Sequence, residues 1–242
     1  MHEFHETSSF FILVLEYCVC DLFEYLQARG FLDEPTCRGV IAQVLEALIY
    51  LHDQVGIVHR DVKFENILLT SIESLAIKLA DFGLSKLVHD SVTQTPCGTL
   101  GFSAPEIMRN ETYAKTADIW SLGCCLYTML CGFPPINDEN ERELVRKVAF
   151  GDYAFLSPWW DNISLEAKNL VTHLLDIDPS TRYTAQDAIQ HPWILDKPLE
   201  SSSESDANSD FIADTFKAWR MPSELKTPNE VALSDYFECG GT

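Results

Sequence analysis

Apolar and polar positions along the chain predict a short strand followed by mostly helical structure. Residues 10–15 form an unbroken apolar run, which is typical of a buried β-strand leading into a connector. Residues 21–26 favour a short helix. Between residues 36 and 52, apolar side chains recur at helical spacing until Gly56 ends the pattern: Val40, Val44 or Leu45, Leu48 and Leu51.

Further along, the pattern predicts a hairpin, a long loop and three more helices. Residues 66–69 and 75–79 are strand-like runs joined by a polar turn. Residues 81–106 show no sustained period and are expected to form a loop, and loops of this length are usually functional. Helices are predicted over 139–150, 164–175 and 184–190. Ser164 caps the second, and Thr184 with Asp187 forms a capping-box pattern for the third.

The C-terminal part has a different character. Residues 201–210 are acidic, serine-rich and of low complexity, so they cannot bury apolar surface. Phe211, Ile212, Phe216 and Trp219 then recur about every four residues, enough for one short amphipathic helix. We therefore expect one domain followed by an acidic, mostly disordered tail over residues 196–242.

Net charge narrows the classes of binding partner, while the cysteines and the apolar runs bear on the compartment of the protein. The 37 acidic and 17 basic residues give a net charge of −20, which disfavours nucleic acid and anionic membranes because both carry phosphate charge. The apolar run 119–133 is shorter than the roughly 20 residues that a bilayer span needs. The eight cysteines lack paired metal-binding spacing and are expected to be reduced thiols. Because the sequence shows no signal peptide, we expect a cytoplasmic protein, with a nuclear location as the alternative.

Three ordered motifs are the main indication of chemistry. They are His59-Arg60-Asp61-Val62-Lys63-Phe64-Glu65-Asn66, then Asp81-Phe82-Gly83, then Ala104-Pro105-Glu106. Phosphoryl transfer needs a carboxylate to accept the proton of the substrate hydroxyl, and oxygen ligands that hold Mg²⁺ against ATP. Asp61, Asn66 and Asp81 are residues of those types.

In that order the motifs resemble those of protein kinases. Residues 10–195 resemble the large lobe of a eukaryotic Ser/Thr protein kinase. The likeness is greatest to the calcium/calmodulin-dependent kinase group, through Asp81-Phe82-Gly83-Leu84-Ser85-Lys86, Cys97-Gly98-Thr99 and the segment from Gly151-Asp152-Tyr153 to Ser157-Pro158-Trp159-Trp160. The resemblance implies an α+β, predominantly helical, kinase-like fold. Residues 1–17 would be a remnant of the small lobe, with residues 2–6 and 10–15 as its last two strands. Residues 18–195 would be the large lobe, with ATP and Mg²⁺ as cofactors.

The resemblance also assigns the catalytic roles. Asp61 would be the base and Lys63 the cation directed at the transferring phosphate, a lysine that indicates Ser/Thr specificity. Asn66 and Asp81 would be the metal ligands. For the nucleotide, Leu15 would be the gatekeeper, and the backbone of the hinge residues Glu16 and Cys18 would meet the adenine edge.

Two further residues complete the implied nucleotide site. Leu68 would form the floor of the adenine pocket, and Asp21 would reach the ribose. Glu65 lies in the same region and, with Asp21 and Glu24, occupies the place where related kinases dock upstream arginines of a substrate. Two positions depart from the family pattern: the connector Cys18-Val19-Cys20-Asp21 is one residue short and lacks glycines, and Phe64 replaces a usual proline.

Other positions have structural or regulatory roles in the family. His59 would pack beside Phe82, Glu106 would pair with Arg182, and Asp118 would accept hydrogen bonds from the catalytic-loop backbone. Residues 119–133 would form the buried central helix. Arg60 would pair with a phosphate that an upstream kinase adds to Thr95 on the loop, while Thr99 would face the substrate.

Parts that the family places before residue 10 are not in this sequence. The first glycine is Gly30 and the first lysine is Lys63, so a Gly-rich phosphate loop, a strand lysine and its helix glutamate are missing from these 242 residues. We expect an N-terminally truncated kinase with very weak activity and poor solubility. The alternative is a non-catalytic, kinase-like scaffold. Expected partners are proteins with basic residues near the acceptor Ser or Thr; calmodulin is not expected, because residues 211–220 carry only Lys217 and Arg220 as basic residues.

Overall fold

A computed structural model describes residues 1–87, 100–111 and 114–195. These residues form the expected α+β fold with mostly helical content. The strands are β1 (Glu3–Glu6), β2 (Phe11–Val14), β3 (Cys20–Asp21), β4 (Ile57–Val58), β5 (Ile67–Ser71), β6 (Ala76–Leu79) and β7 (Lys86–Leu87). The helices are α1 (Leu22–Gln27), α2 (Glu34–Ile49), α3 (Pro105–Met108), α4 (Thr116–Cys131), α5 (Glu141–Phe150), α6 (Leu165–Leu174), α7 (Ala185–Ile189) and α8 (Pro192–Leu195).

Strands β1 and β2 form an antiparallel hairpin whose residues are all exposed. The register places Phe4 opposite Leu13 and Glu6 opposite Phe11. The strand predicted over residues 10–15 therefore exists, but its predicted burial is wrong. An apolar run indicates burial only when other elements cover it, and among the described strands this hairpin pairs with itself alone.

Helix α2 brings the chain to the motif segment. Asp33 caps its N-terminus by accepting from the N–H of Thr36 at 2.9 Å, and its predicted apolar face is buried. The helix continues as a π-helical segment over Tyr50–Val55. The last turn of the predicted helix, which includes Leu51, is therefore π-helical and not α-helical. Gly56 ends it with φ of 74°, a left-handed conformation that glycine adopts without strain.

The predicted hairpin is strands β5 and β6, which form a three-stranded sheet with β3. Gln43 on α2 fixes this hairpin to the helical layer. Its side-chain amide donates to the carbonyl of Leu75 at 3.0 Å and accepts from the N–H of Ile77 at 3.1 Å. The hairpin therefore holds a set position relative to α2.

Helix α4 is the centre of the core, as the resemblance implied. Every residue from Ala117 to Cys131 is buried, and α2 and α6 pack on it. Ser164 caps α6, and Thr184 forms the predicted capping box with Asp187 before α7. Within the described ranges, no helix has both the length and the apolar character needed to cross a bilayer.

Candidate active site

The catalytic-loop residues meet around the carboxylate of Asp61. Lys63 places its Nζ 2.9 Å from Asp61 Oδ2, and Asn66 donates from Nδ2 to Oδ2 at 2.9 Å and to the Asp61 carbonyl at 2.7 Å. Buried Phe64 anchors the short 3₁₀ turn Phe64–Asn66. Arg60 has φ of 75°, a left-handed backbone conformation that turns the loop just before Asp61.

Asp81 lies beside this group because the β5–β6 hairpin connects the two segments. The N–H of Ala80 donates to the carbonyl of Asn66 at 2.8 Å. Asp81 itself has φ of 61°, and its Oδ1 accepts from the N–H of Gly83 at 3.0 Å. A Cβ on Gly83 would lie 3.0 Å from the same oxygen, so a larger residue at this position would require the Asp81 carboxylate to shift by a few tenths of an ångström.

Asp118 on α4 holds the backbone that precedes Asp61. Its Oδ2 accepts from the N–H of His59 and its Oδ1 from the N–H of Arg60, both at 2.8 Å. The same Oδ2 is 2.8 Å from Nε2 of His52, which is buried at the end of the long helical segment. Sequence reasoning missed His52, because its contact with Asp118 on α4 forms only when the helical segment after α2 packs in the fold.

His59 and Phe82 are in contact, with ring centroids 5.0 Å apart in an edge-to-face arrangement. His59 is fully buried, its Nε2 lies 3.0 Å from the carbonyl of Ala80, and its own carbonyl accepts from the hydroxyl of Ser85 at 3.2 Å. These contacts join the catalytic loop to the segment that carries Asp81.

Glu106 and Arg182 form a buried bidentate ion pair with N···O distances of 2.7 and 2.9 Å. The guanidinium also donates to the carbonyls of Asp176 and Thr116. The pair connects α3, α4 and the loop before α7.

The residues predicted to form the hinge lie between β2 and α1. Glu16 is exposed and its carboxylate is 3.5 Å from Nζ of Lys78. Cys18 is half-buried, and Leu68 pairs with Asp21 across β3 and β5. Asp21 caps α1, since its Oδ1 accepts from the N–H of Glu24 at 2.8 Å. A ribose would therefore have to share this carboxylate with the helix cap.

The carboxyl group of Glu65 has a raised pKa. Burial raises its pKa, a backbone hydrogen bond and Lys63 act in the opposite direction, and Asp21 and Asp61 add to the increase. Its Oε2 is buried and has no hydrogen-bond partner among the described residues. Such an oxygen is suited to a cationic ligand.

Thr95 and Thr99 lie outside the described residues. The structure therefore gives no geometry for the predicted phosphosite or for the threonine predicted to face the substrate.

The oxygen donors of Asn66 and Asp81 fit a hard divalent cation such as Mg²⁺, which usually binds one or two protein oxygens together with phosphates and water. The described part of the chain contains no group of three or more His, Cys, Asp or Glu residues arranged for a metal.

Comparison with known proteins identifies the family. The protein kinase domain family matches residues 1–194. Serine/threonine-protein kinase srk1 of Schizosaccharomyces pombe is 41% identical over 97% of this chain, and serine/threonine-protein kinase RCK2 of Saccharomyces cerevisiae is 36% identical over 98%. Calcium/calmodulin-dependent protein kinase type II of S. pombe is 44% identical over 80%. The chain belongs to the protein kinase family, within the Ser/Thr kinases of the calcium/calmodulin-dependent-kinase-like group.

The chain spans about half the length of these relatives, because the matches cover 48%, 46% and 45% of srk1, RCK2 and the type II kinase, respectively. Family membership is therefore established for the domain.

Proposed function

We propose that this chain is the catalytic part of a protein kinase that transfers the γ-phosphate of ATP to Ser or Thr hydroxyls of proteins. The observation that carries the proposal is the cluster in which Lys63 and Asn66 both contact the carboxylate of Asp61. Kinase catalysis consists mainly of positioning and charge stabilisation, which this cluster supports. A binding scaffold would have no use for it.

In this proposal each side chain has one task. Asp61 orients the substrate hydroxyl and accepts its proton, and Lys63 stabilises negative charge on the transferring phosphoryl group. Asn66 and Asp81 would hold Mg²⁺, which neutralises the phosphate oxygens of bound ATP. Asp118 keeps the loop backbone in place through the N–H groups of His59 and Arg60.

The proposed arrangement of the chain follows the expected division. Residues 1–17 contribute the end of a small lobe and the start of the hinge, 18–195 the large lobe, and 196–242 a tail. The phosphate-gripping lysine, its glutamate and the Gly-rich loop would come from sequence that these 242 residues do not include. Removing one preorganised charge-stabilising donor typically slows a reaction by about 10²- to 10³-fold, so we expect the 242-residue chain to be at least that impaired.

The test compares two forms of the protein in a radiolabel transfer assay with Mg²⁺-ATP. Purified 1–242 should show turnover close to that of its Asp81→Asn variant. A longer form encoded with the sequence upstream of Met1 should phosphorylate a protein substrate and lose that activity with Asp61→Asn. If the longer form supplies a Gly-rich loop and strand lysine, yet stays inactive and binds a partner protein equally well with Asp61→Asn, the scaffold alternative is correct.

We also propose that substrates carry basic residues upstream of the phosphorylated Ser or Thr. Glu65 offers a buried oxygen without a partner in the described chain, and Asp21 and Glu24 lie nearby at the start of α1. A guanidinium would satisfy that oxygen in a charge-assisted hydrogen bond.

A peptide array tests this preference on the longer form, which should select arginine upstream of the acceptor. Glu65→Gln should weaken the selection for arginine more than the control Glu46→Gln on α2 does. A preference for acidic or proline-directed sites would refute it.

A further inference from the structure

Helix α8 is the last described element, and Trp193 attaches it to the helical core. The Trp193 side chain is 1% exposed, and its Nε1 donates to Oε2 of Glu34 on α2 at 2.6 Å. The carboxylate of Glu34 also accepts from the backbone N–H and the hydroxyl of Ser164, both at 2.7 Å, at the start of α6. In this closed position, α8 is therefore bound to both α2 and α6.

The imidazole ring of His191 fixes the start of α8. His191 is buried, its Nδ1 accepts from the backbone N–H of Trp193 at 3.2 Å, and its Nε2 lies 3.0 Å from Oδ1 of Asn169 on α6. Nδ1 can accept a hydrogen bond only when it carries no proton, so the ring proton is on Nε2, which donates to Asn169. The neutral ring therefore satisfies both contacts at once.

A second proton on this ring is incompatible with the closed position of α8. It would turn Nδ1 of His191 from an acceptor into a donor that faces the N–H donor of Trp193. The contact from Nε2 to Asn169 would remain, because Nε2 donates in both protonation states. Protonation of His191 thus acts on α8 and leaves the contact with α6 in place.

The groups of α6 and of the segment before α7 surround the His191 ring. The ring centroids of His173 and Tyr183 each lie 6.3 Å from that of His191. Burial lowers the pKa of His191, His173 lowers it further, and Glu166 on α6 acts in the opposite direction. The net effect agrees with the hydrogen bonds, since both favour the neutral ring in the closed position.

The charged groups of the other two helices that pack on α8 have separate contacts. On α2, Glu34 binds Trp193 and Ser164, and the guanidinium of Arg38 lies over the Trp193 ring, 5.3 Å from its centroid. On α7, the carboxylate of Asp187 accepts from Thr184 at the helix cap. Helix α8 itself has no ionisable side chain. His191 is therefore the group whose protonation state bears directly on the start of α8.

We propose that His191 is a pH-sensitive switch that keeps α8 closed while its ring is neutral and releases α8, with Trp193, when the ring is protonated. The open state binds the extra proton more readily than the closed state, so closure is favoured at high pH. It weakens as the pH falls below 6.5, the ordinary pKa of the imidazole. Acidification would thus loosen the point at which the chain leaves the described core, and this inference is independent of the proposed kinase function.

The first experiment measures backbone hydrogen exchange in the whole 242-residue chain at pH 5.5 and pH 7.5, read by mass spectrometry on peptides that cover residues 190–195. Each rate is divided by that of a synthetic peptide of the same sequence at the same pH, which removes the intrinsic effect of pH on exchange. Because an exposed imidazole has a pKa near 6.5, opening of α8 should be about tenfold more frequent at pH 5.5 than at pH 7.5.

Helix α5, which contains no histidine, is the internal control and should show the same protection at both pH values. Equal protection of residues 190–195 at the two pH values would overturn the proposal. An equal loss of protection in α5 would overturn it as well, because the effect of acid would then be global.

The variant His191→Asn removes the titrating group but offers an amide oxygen close to the position of Nδ1, where it can accept from the N–H of Trp193. The tenfold difference between the two pH values should disappear in this variant. The matched control His2→Asn changes an exposed histidine on the hairpin side and should keep the full difference. If His191→Asn also keeps it, another group titrates and the proposal is wrong.

A second measurement needs no variant to fold and close normally. Exchange of the imidazole C2 hydrogen with deuterium, followed by mass spectrometry over a range of pH, reports the pKa of each histidine in the unmodified chain. His191 should take up its proton at lower pH than exposed His2, because the closed position resists protonation of the ring. A titration of His191 at the same pH as His2, or at higher pH, would overturn the proposal whatever the backbone exchange shows.

Discussion

Arg182 and Glu106 form a bidentate ion pair across 76 residues of sequence, and both side chains are almost completely buried. Arg182 also donates to two backbone carbonyls, so the charge on its guanidinium is fully engaged. A buried pair of this kind contributes little net stability by itself, but breaking it leaves one uncompensated charge in the core. Its role is to fix α3 relative to the loop before α7.

We therefore expect Glu106→Ala to lower the free energy of unfolding by about 3 to 5 kcal/mol. Arg182→Leu should have a similar effect, because it leaves the carboxylate alone. The double variant should be less destabilised than the sum of the two single variants. Urea unfolding followed by tryptophan fluorescence measures the free energy of unfolding of the unmodified chain, the two single variants and the double variant. If the effects of the two single variants simply add in the double variant, the proposed coupling is contradicted.

Asp118→Asn tests the support of the catalytic loop. One carboxylate oxygen becomes an NH₂ group that faces backbone donors, so the N–H of His59 or of Arg60 loses its acceptor. We expect a loss of about 2 to 3 kcal/mol in the free energy of unfolding. The control is Asp53→Asn, whose carboxylate meets Lys115 at 2.9 Å in an exposed pair and which should change stability by less than about 0.5 kcal/mol. Equal effects would show that Asp118 has no special role.

The residues that sequence reasoning could place are those whose identity is tied to short motifs. Asp61 and Asn66 were predicted from one such run and Asp81 from a second, α2 from periodic apolar residues, and α4 from an apolar run that the family resemblance identified as the central helix. Capping by Ser164 and Thr184 followed from local side-chain chemistry. In each case the information lies within a few residues of the chain.

Long-range partners were harder to predict, because their positions depend on the packed fold. His52 meets Asp118 only once α2 lies against α4, and Gln43 meets Leu75 only once the hairpin has formed. The burial expected for residues 10–15 failed for a related reason. Apolar composition shows that a strand favours burial, but it does not supply the elements that cover it.

Glu65 gives a pH-dependent prediction. An acid whose pKa is raised on folding binds its proton more tightly in the folded state, so its ionised form destabilises the fold. That penalty is fully present above the raised pKa and disappears as the pH falls below the ordinary value of 4.5. Glu65→Gln should therefore increase the free energy of unfolding at pH 7.5, and the gain should shrink towards pH 4. Exposed Glu46→Gln on α2 should show no such trend, and a gain that is independent of pH would rule out the titration of Glu65 as the cause.

Thr95 is the predicted activating phosphosite in the longer form. Its phosphate would pair with Arg60, and each charge-assisted hydrogen bond contributes about 1.5 to 3 kcal/mol, so activation should reach roughly tenfold or more. Thr95→Ala should abolish the response to an activating kinase, while the neighbouring Thr93→Ala should respond normally. Kinase assays before and after treatment, with phosphopeptide mapping, decide the matter. Full activation of the Thr95→Ala form would show that another residue is the phosphosite.

The β1–β2 hairpin predicts how the 242-residue chain behaves in solution. Residues opposite each other in an antiparallel pair share a face, so Phe4 and Leu13 lie on one face, and Phe11 stacks on Phe4 with ring centroids 5.9 Å apart. These three side chains are 51%, 55% and 71% exposed, respectively. An uncovered apolar sheet face next to open strand edges promotes association. Sedimentation velocity should therefore show concentration-dependent self-association of the 242-residue chain.

Replacing Phe11 and Leu13 together by glutamate should make the chain predominantly monomeric. The matched control places the same two charges at exposed leucines on other elements, with Leu165→Glu and Leu195→Glu. That control should still associate, because the apolar face of the hairpin is intact. If both double variants become monomeric to the same extent, added charge and not the hairpin face controls solubility, and a monomeric unmodified chain would remove the basis of the prediction altogether.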